Sequence, residues 1–197
     1  MVSTGRVPAW GSASGGAWRT RDIVVAAIIA VAFGVVFQVW NGLNEVTRPL
    51  FVGAVWVQDL LYGVWLIPAV LVPLIVRKPG AALFAELVAA GVSAFLGSQF
   101  GVDALLSGLL QGLGAEAVFF ATRYRSYAFP VLAAAAIGAA LAAWIHDWVL
   151  YYASVDAVVQ VLRGVAMVVS AVVLTAGGSV LLARSLRQAG VLEGFPD

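Results

Sequence analysis

Apolar runs near twenty residues long, cut apart by short polar or glycine-rich stops, govern what this chain can fold into. An α-helix rises about 1.5 Å per residue, so roughly 17 to 25 apolar residues cross the hydrocarbon core of a bilayer. Runs of about that length lie at about 22–41, 58–76, 80–97, 103–122, 128–151 and 157–184, and the first three are closed by "NGLNE", "RKPG" and "GSQFG". The segment 43–57, with its "RPLFVGAVWV", is too short to span and reads as interfacial or re-entrant. Six spans predict an all-α integral membrane protein.

Composition supports lipid as the solvent. The chain is 62% hydrophobic and only 11% charged, whereas a soluble domain is nearer half apolar and a quarter charged. It holds no cysteine, which removes disulfides, thiolate chemistry and cysteine zinc sites. A net charge of +1 gives no footprint for nucleic acid, so none is expected as a partner. Residues 1–20 are small, polar and glycine-rich, and read as a flexible cytoplasmic tail. A membrane domain is expected over 21–187 and a short tail over 188–197.

The basic residues orient the spans. With six crossings, Arg6, Arg19, Arg21, Arg77, Lys78, Arg123, Arg125, Arg184 and Arg187 share one side, Arg48 lies on the other, and Arg163 falls inside the last run. The positive-inside rule then places both termini in the cytoplasm of a multi-pass cell-membrane protein.

Polar residues inside the spans are costly, about 2.5 to 3.5 kcal/mol for an ionised group at the bilayer centre, and usually face a bundle interior. Here they gather toward the outer side. Gln38, Asn41 and Glu45 share one face of the first run, Asp59, Tyr62 and Trp65 one face of the second. Asp103, Ser107 and Gln111 descend the fourth, and Trp144, Asp147, Trp148 and Tyr151 mark the fifth, beside His146. Glu86 and Glu116 lie deeper, each 7 to 8 residues from the nearest inner basic residue. Gln111 and Glu116 are about 140° apart around their helix, with Gly108 and Gly112 available for close approach by a backbone or a ligand.

Structural readings stand beside these. Trp148, Tyr151 and Tyr152 fit interfacial anchors, and Asp103 and Asp22 fit helix N-caps. His146 fits a structural residue better than a metal ligand, because the chain has no second histidine. Arg163 fits the partner of a buried carboxylate. A set of acids, amides and flat rings with few cations suits a small, partly aromatic, positively charged solute.

"RKPGAALFAELVAA" (77–90), "QGLGAEAVFFATRYRSY" (111–127) and "YGVW" (62–65) resemble the YkoE family, substrate-binding S components of energy-coupling factor (ECF) transporters. The resemblance implies a six-helix S-component bundle that captures thiamine or its hydroxymethylpyrimidine precursor from outside. It implies a transmembrane coupling protein and ATPase subunits as partners, and no cofactor of its own. It implies docking on the coupling protein through an AxxxA pattern on the first helix, here Ala26 and Ala30 with Ala27 adjoining. On this reading Glu86 and Glu116 accept from the ligand or order its pocket, while Tyr62, Trp65 and Trp144 stack. Gln38, Asn41, Asp59, Gln111 and Asp147 complete the polar lining.

The chain has no G-x-x-x-x-G-K-[ST] loop, so ATP hydrolysis falls to a partner and no enzymatic activity is expected. Two other classes fit the residues less well. An intramembrane enzyme using Glu86, Glu116 and His146 lacks a nucleophile beside a base. A channel or exporter needs a continuous polar path, whereas polar groups thin out below Glu116. S component for another small cationic aromatic solute remains the nearest variant.

Overall fold

A computed structural model describes residues 17–196, and most of the expected tail over 1–20 lies outside them. The described residues form helices and loops with no strand. Six helices follow in order: α1 Thr20–Thr47, α2 Val55–Val76, α3 Ala81–Phe95, α4 Asp103–Ala121, α5 Phe129–Leu150 and α6 Ala157–Gln188. Five are long and apolar enough to cross a membrane, and α3, at 15 residues, is a shorter apolar helix. The segment 43–57, expected to be interfacial or re-entrant, forms no span of its own. It prolongs α1 to Thr47, adds a single-turn 3₁₀ segment at Arg48–Phe51, and starts α2 at Val55.

α2 is the axis of the bundle. Every residue from Ile67 to Val76 is buried, which explains an unbroken apolar sequence with no polar face. α1 lies at the periphery and shows lipid a broad aliphatic face including Ile28, Val35 and Val39. Its opposite face is a stripe of small residues, Ala26, Ala30 and Gly34, one turn apart. At Gly34 an added Cβ would lie 2.5 Å from the Val92 side chain and 2.8 Å from the Ala89 carbonyl, so α1 and α3 touch nearly backbone to backbone. The α4–α5 contact is of the same kind, since a Cβ on Gly138 would lie 2.5 Å from the Gly114 carbonyl oxygen.

Two irregular stretches face each other. α2 runs as a 3₁₀ helix over Asp59–Leu66, and α6 opens into a π turn over Ala171–Gly177. A 3₁₀ helix has poorer backbone hydrogen-bond geometry, and hydroxyls from α6 supply what it lacks. Ser170 Oγ donates to the Leu60 carbonyl at 2.7 Å and accepts from the Gly63 N–H at 2.8 Å, while Thr175 Oγ1 donates to the Gly63 carbonyl at 2.7 Å.

Both described ends meet at one end of the bundle, where Trp18 Nε1 donates to the Pro79 carbonyl and Arg21 Nη2 to the Gly194 carbonyl. The C-terminal residues fold back there, with Leu192 buried and the Phe195 ring under the Arg21 guanidinium. Asp22, expected as an N-cap, sits instead at the third position of the first turn of α1, after the N-cap Arg19. Its carboxylate accepts from the Arg19 N–H at 3.1 Å and pairs with Lys78 at 3.8 Å.

Candidate functional site

The opposite end encloses a cavity of about 690 Å³, within the usual range for small-molecule sites. The turns of α1 to α6 at this end and the loops between them build its walls. Along α3 the lining runs from Ser93 through Ala90 to Glu86, so Glu86 lies about 10 Å below the rim residues of that helix. Gly108 lets α3 and α4 close behind this wall, where a Cβ would meet the Ala90 side chain at 2.7 Å.

Glu86 is fully buried. Its Oε1 accepts from the Ala69 N–H at 2.9 Å, and its Oε2 has no hydrogen-bond partner. An unmatched carboxylate oxygen in a membrane interior is expensive. A ligand donor would satisfy it.

The aromatic wall is held in place by amides and hydroxyls. Trp65 Nε1 donates to Asn41 Oδ1 at 2.9 Å, and Asn41 Nδ2 donates to Ser98 Oγ at 3.1 Å and Ser93 Oγ at 3.3 Å. Every polar atom of Asn41 is thereby used in fixing the indole. Tyr62 meets Trp65 edge to face, with centroids 5.2 Å apart. Gln111 Nε2 donates to Ser107 Oγ at 2.6 Å, with the Tyr62 hydroxyl at 3.5 Å.

Charge is distributed in pairs and a chain. Arg163, 2% exposed, grips Asp59 through Nε at 2.8 Å and Nη2 at 3.3 Å, and lies over the Tyr152 ring at 3.5 Å. Glu45 and Arg48 pair at the exposed rim, 3.7 Å apart. On the other wall, His146 lies between Asp147 and Asp103, and the Tyr151 hydroxyl donates to Asp103. Burial, then the Asp103 carboxylate, hold the Tyr151 hydroxyl well above the usual phenol range, so it stays a donor. Five carboxylates and two guanidinium groups line the cavity, an acidic surplus suited to a cation. Among the described residues no group of three or more His, Asp or Glu side chains could hold a metal ion.

A family described as the permease component of an ABC-type cobalt transport system matches residues 21–142. The Bacillus subtilis (strain 168) protein named "Putative HMP/thiamine permease protein YkoE" is 35% identical over 179 residues, covering 90% of this chain and 89% of that one. A crystal structure of an S component of an ECF transporter superposes with a TM-score of 0.86 at 34% identity, covering 90% of each chain. The chain belongs to the YkoE family of ECF S components. It is a multi-pass membrane transport protein rather than an enzyme.

In this S component the cavity collects seven of the residues expected from the sequence: Glu86, Tyr62, Trp65, Gln111, Asp59, Asn41 and Asp147. Three fall elsewhere. Trp144 donates its Nε1 to the Gln160 carbonyl at 3.0 Å and packs on Gly164, joining α5 to α6. Gln38 turns toward the α3–α4 loop, with Nε2 3.4 Å from the Gly97 carbonyl. Glu116 lies at the other end of the bundle. Its Oε1 accepts from the Gly80 N–H at 2.5 Å and from the Tyr124 hydroxyl at 2.8 Å, and its Oε2 accepts from the Ala82 N–H at 3.0 Å. The N-cap of α3 is Gly80, which has no capping side chain, so Glu116 serves the orphan N–H groups from α4. The enzyme hypothesis loses its constellation too, because Glu116 does not share the cavity with Glu86 and His146.

The docking alanines also need correction. Ala26 and Ala30 are both 0% exposed, packed in the core, and only half-buried Ala27 has surface to offer a partner. Small residues one turn apart bring helices together, and here the helix brought in is α3 of the same chain. Asp103 is likewise not an N-cap. It opens α4 one residue later, lies 3.1 Å from His146 Nε2 and accepts from Tyr151. Sequence reasoning left out Ser93 and Ser98, whose hydroxyls accept from Asn41 and fix it; the place of Ser93 two turns from Glu86 on α3 was the available signal.

Proposed function

We propose that this S component captures thiamine or its hydroxymethylpyrimidine precursor in the cavity and delivers it for ATP-driven uptake. The observation that carries this reading is Glu86 Oε2, an unpartnered acceptor on the wall of an acidic, aromatic cavity. An aminopyrimidine brings an N–H donor for that oxygen and a flat ring for the Tyr62–Trp65 wall. The thiazolium of thiamine brings a fixed positive charge for the carboxylate surplus. The curated relative's name points to the same two compounds.

The cavity faces the outside on this reading. Arg77, Lys78, Arg123, Arg125, Arg184 and Arg187 belong to the end that carries the termini, and the positive-inside rule puts that end in the cytoplasm. Energy comes from a transmembrane coupling protein and ATPase subunits, since the chain has no phosphate-binding loop of its own. Native mass spectrometry and calorimetric titration of the purified protein test the proposal. A co-purified or titrated aminopyrimidine in one-to-one ratio supports it, and no binding of either compound contradicts it.

A further inference from the structure

His146 is the one histidine of the chain, and both of its ring nitrogens face acids. Nδ1 lies 3.0 Å from Asp147 Oδ1, and Nε2 lies 3.1 Å from Asp103 Oδ1. A neutral imidazole carries one N–H and one lone pair. Between two carboxylates it would satisfy one contact and set lone pair against lone pair in the other. Only the imidazolium donates to both. Asp103 Oδ2 also accepts from the Tyr151 hydroxyl, which leaves Oδ1 facing the imidazole and makes this carboxylate the natural anionic end of the chain.

Resting on the capture reading above, we propose that His146 holds a proton before ligand binds and releases it to water when a cationic ligand enters, which makes it the residue that sets the cavity's choice between charged and neutral solutes. The surrounding charges favour this exchange. Asp59 and Glu45 are matched by Arg163 and Arg48. Glu86 on α3 and the hydroxyls of Tyr62, Tyr151 and Tyr152 complete the titratable groups on the wall. The carboxylates left without an arginine are therefore Glu86, Asp103 and Asp147, and the imidazolium neutralises the last two in part. A ligand cation reaching the same pair repels the imidazolium. When the ring gives up one N–H proton it keeps a hydrogen bond to one aspartate and frees the other as an acceptor for the ligand. Only the N–H bond breaks, its electron pair stays on the ring nitrogen, and the proton passes to water at the mouth of the cavity. A neutral base triggers no such release.

A single histidine makes the test direct, because ring-¹⁵N-histidine labelling gives one pair of signals without assignment. The ligand-free protein at about pH 7.5 should show both ring nitrogens protonated. A signal from one unprotonated nitrogen would overturn the proposal. Titration calorimetry with thiamine, in two buffers of different ionisation enthalpy, should report release approaching one proton. Because the bound state holds fewer protons, thiamine affinity should rise with pH, by about threefold or more from pH 7 to 8. Hydroxymethylpyrimidine should show neither effect, and His146→Gln should make thiamine affinity independent of pH. Thiamine binding to the wild-type protein with no proton released would sink the exchange while leaving capture intact. Failure of both compounds to bind would overturn capture, and the exchange with it.

Discussion

Glu86 and Glu116 stand at similar sequence distances from the nearest basic residue, yet the bundle treats them in opposite ways. At the end carrying the termini, Glu116 is ringed by donors from Gly80, Ala82 and Tyr124. Burial, then the Glu116 carboxylate beside it, hold the Tyr124 hydroxyl above its ordinary range, so it too remains a donor. Toward the other end, Glu86 receives one N–H and keeps one oxygen unmatched beside the cavity. A satisfied acid closes a structural gap, and an unsatisfied acid leaves a place for something else. Depth in the membrane does not separate the two roles. Hydrogen-bond accounting does.

The largest expected effect tests whether the cavity end has any structural charge of its own. Arg163→Met leaves the Asp59 carboxylate buried without its partner and should cost about 3–5 kcal/mol, read as a fall in thermal stability in detergent. Adding Asp59→Asn should restore most of the loss. Full stability of Arg163→Met alone would mean that the pair holds nothing together.

Glu116→Gln comes next. An amide keeps one acceptor and turns a second N–H donor toward the start of α3, at a cost of about 2–3 kcal/mol. The surviving folded protein should bind thiamine as before. A weakened affinity with unchanged stability would reverse the comparison and return Glu116 to the ligand.

A smaller contrast lies on α1. Ala30→Leu forces a larger side chain into a helix contact with no free space and should cost about 1–3 kcal/mol. Ala27→Leu, on a half-buried position, should stay within about 0.5 kcal/mol. Equal stability of the two variants, measured by thermal unfolding, would return Ala30 to the surface that the docking reading assigned it.

Much of the fold was legible because bilayer thickness and punctuation act on the chain locally. The run at 103–122 is α4, Asp103–Ala121, and the run at 128–151 is α5, Phe129–Leu150. The 3₁₀ and π stretches were not legible from hydropathy, which registers span and burial but not whether a backbone bond reaches three, four or five residues along the helix. One trace did exist. Ser170 and Thr175 are five residues apart and serve the same partner segment, a spacing that suits a π turn better than an α turn. The site was legible as a chemistry and less so as a residue set. Asn41, Asp59, Tyr62 and Trp65 followed from facing. Glu116 was misplaced because wheel angle was read as pocket shape. Its separation of about 140° from Gln111 meant two different neighbours, and "RKPG" ahead of α3 offered no Ser, Thr, Asp or Asn cap. That missing cap was the signal for a carboxylate supplied from elsewhere. Ala26 and Ala30 were misread because small residues mark a close helix contact without saying which helix makes it.

The most direct measurement is thiamine titration of Glu86→Gln beside the wild type, with thermal unfolding of both without ligand. Glutamine can still accept from the Ala69 N–H and replaces only the unmatched oxygen. The account predicts unfolding temperatures that agree and an affinity weakened by about tenfold or more, about 1.4 kcal/mol. Equal affinity in a protein that remains folded would contradict it.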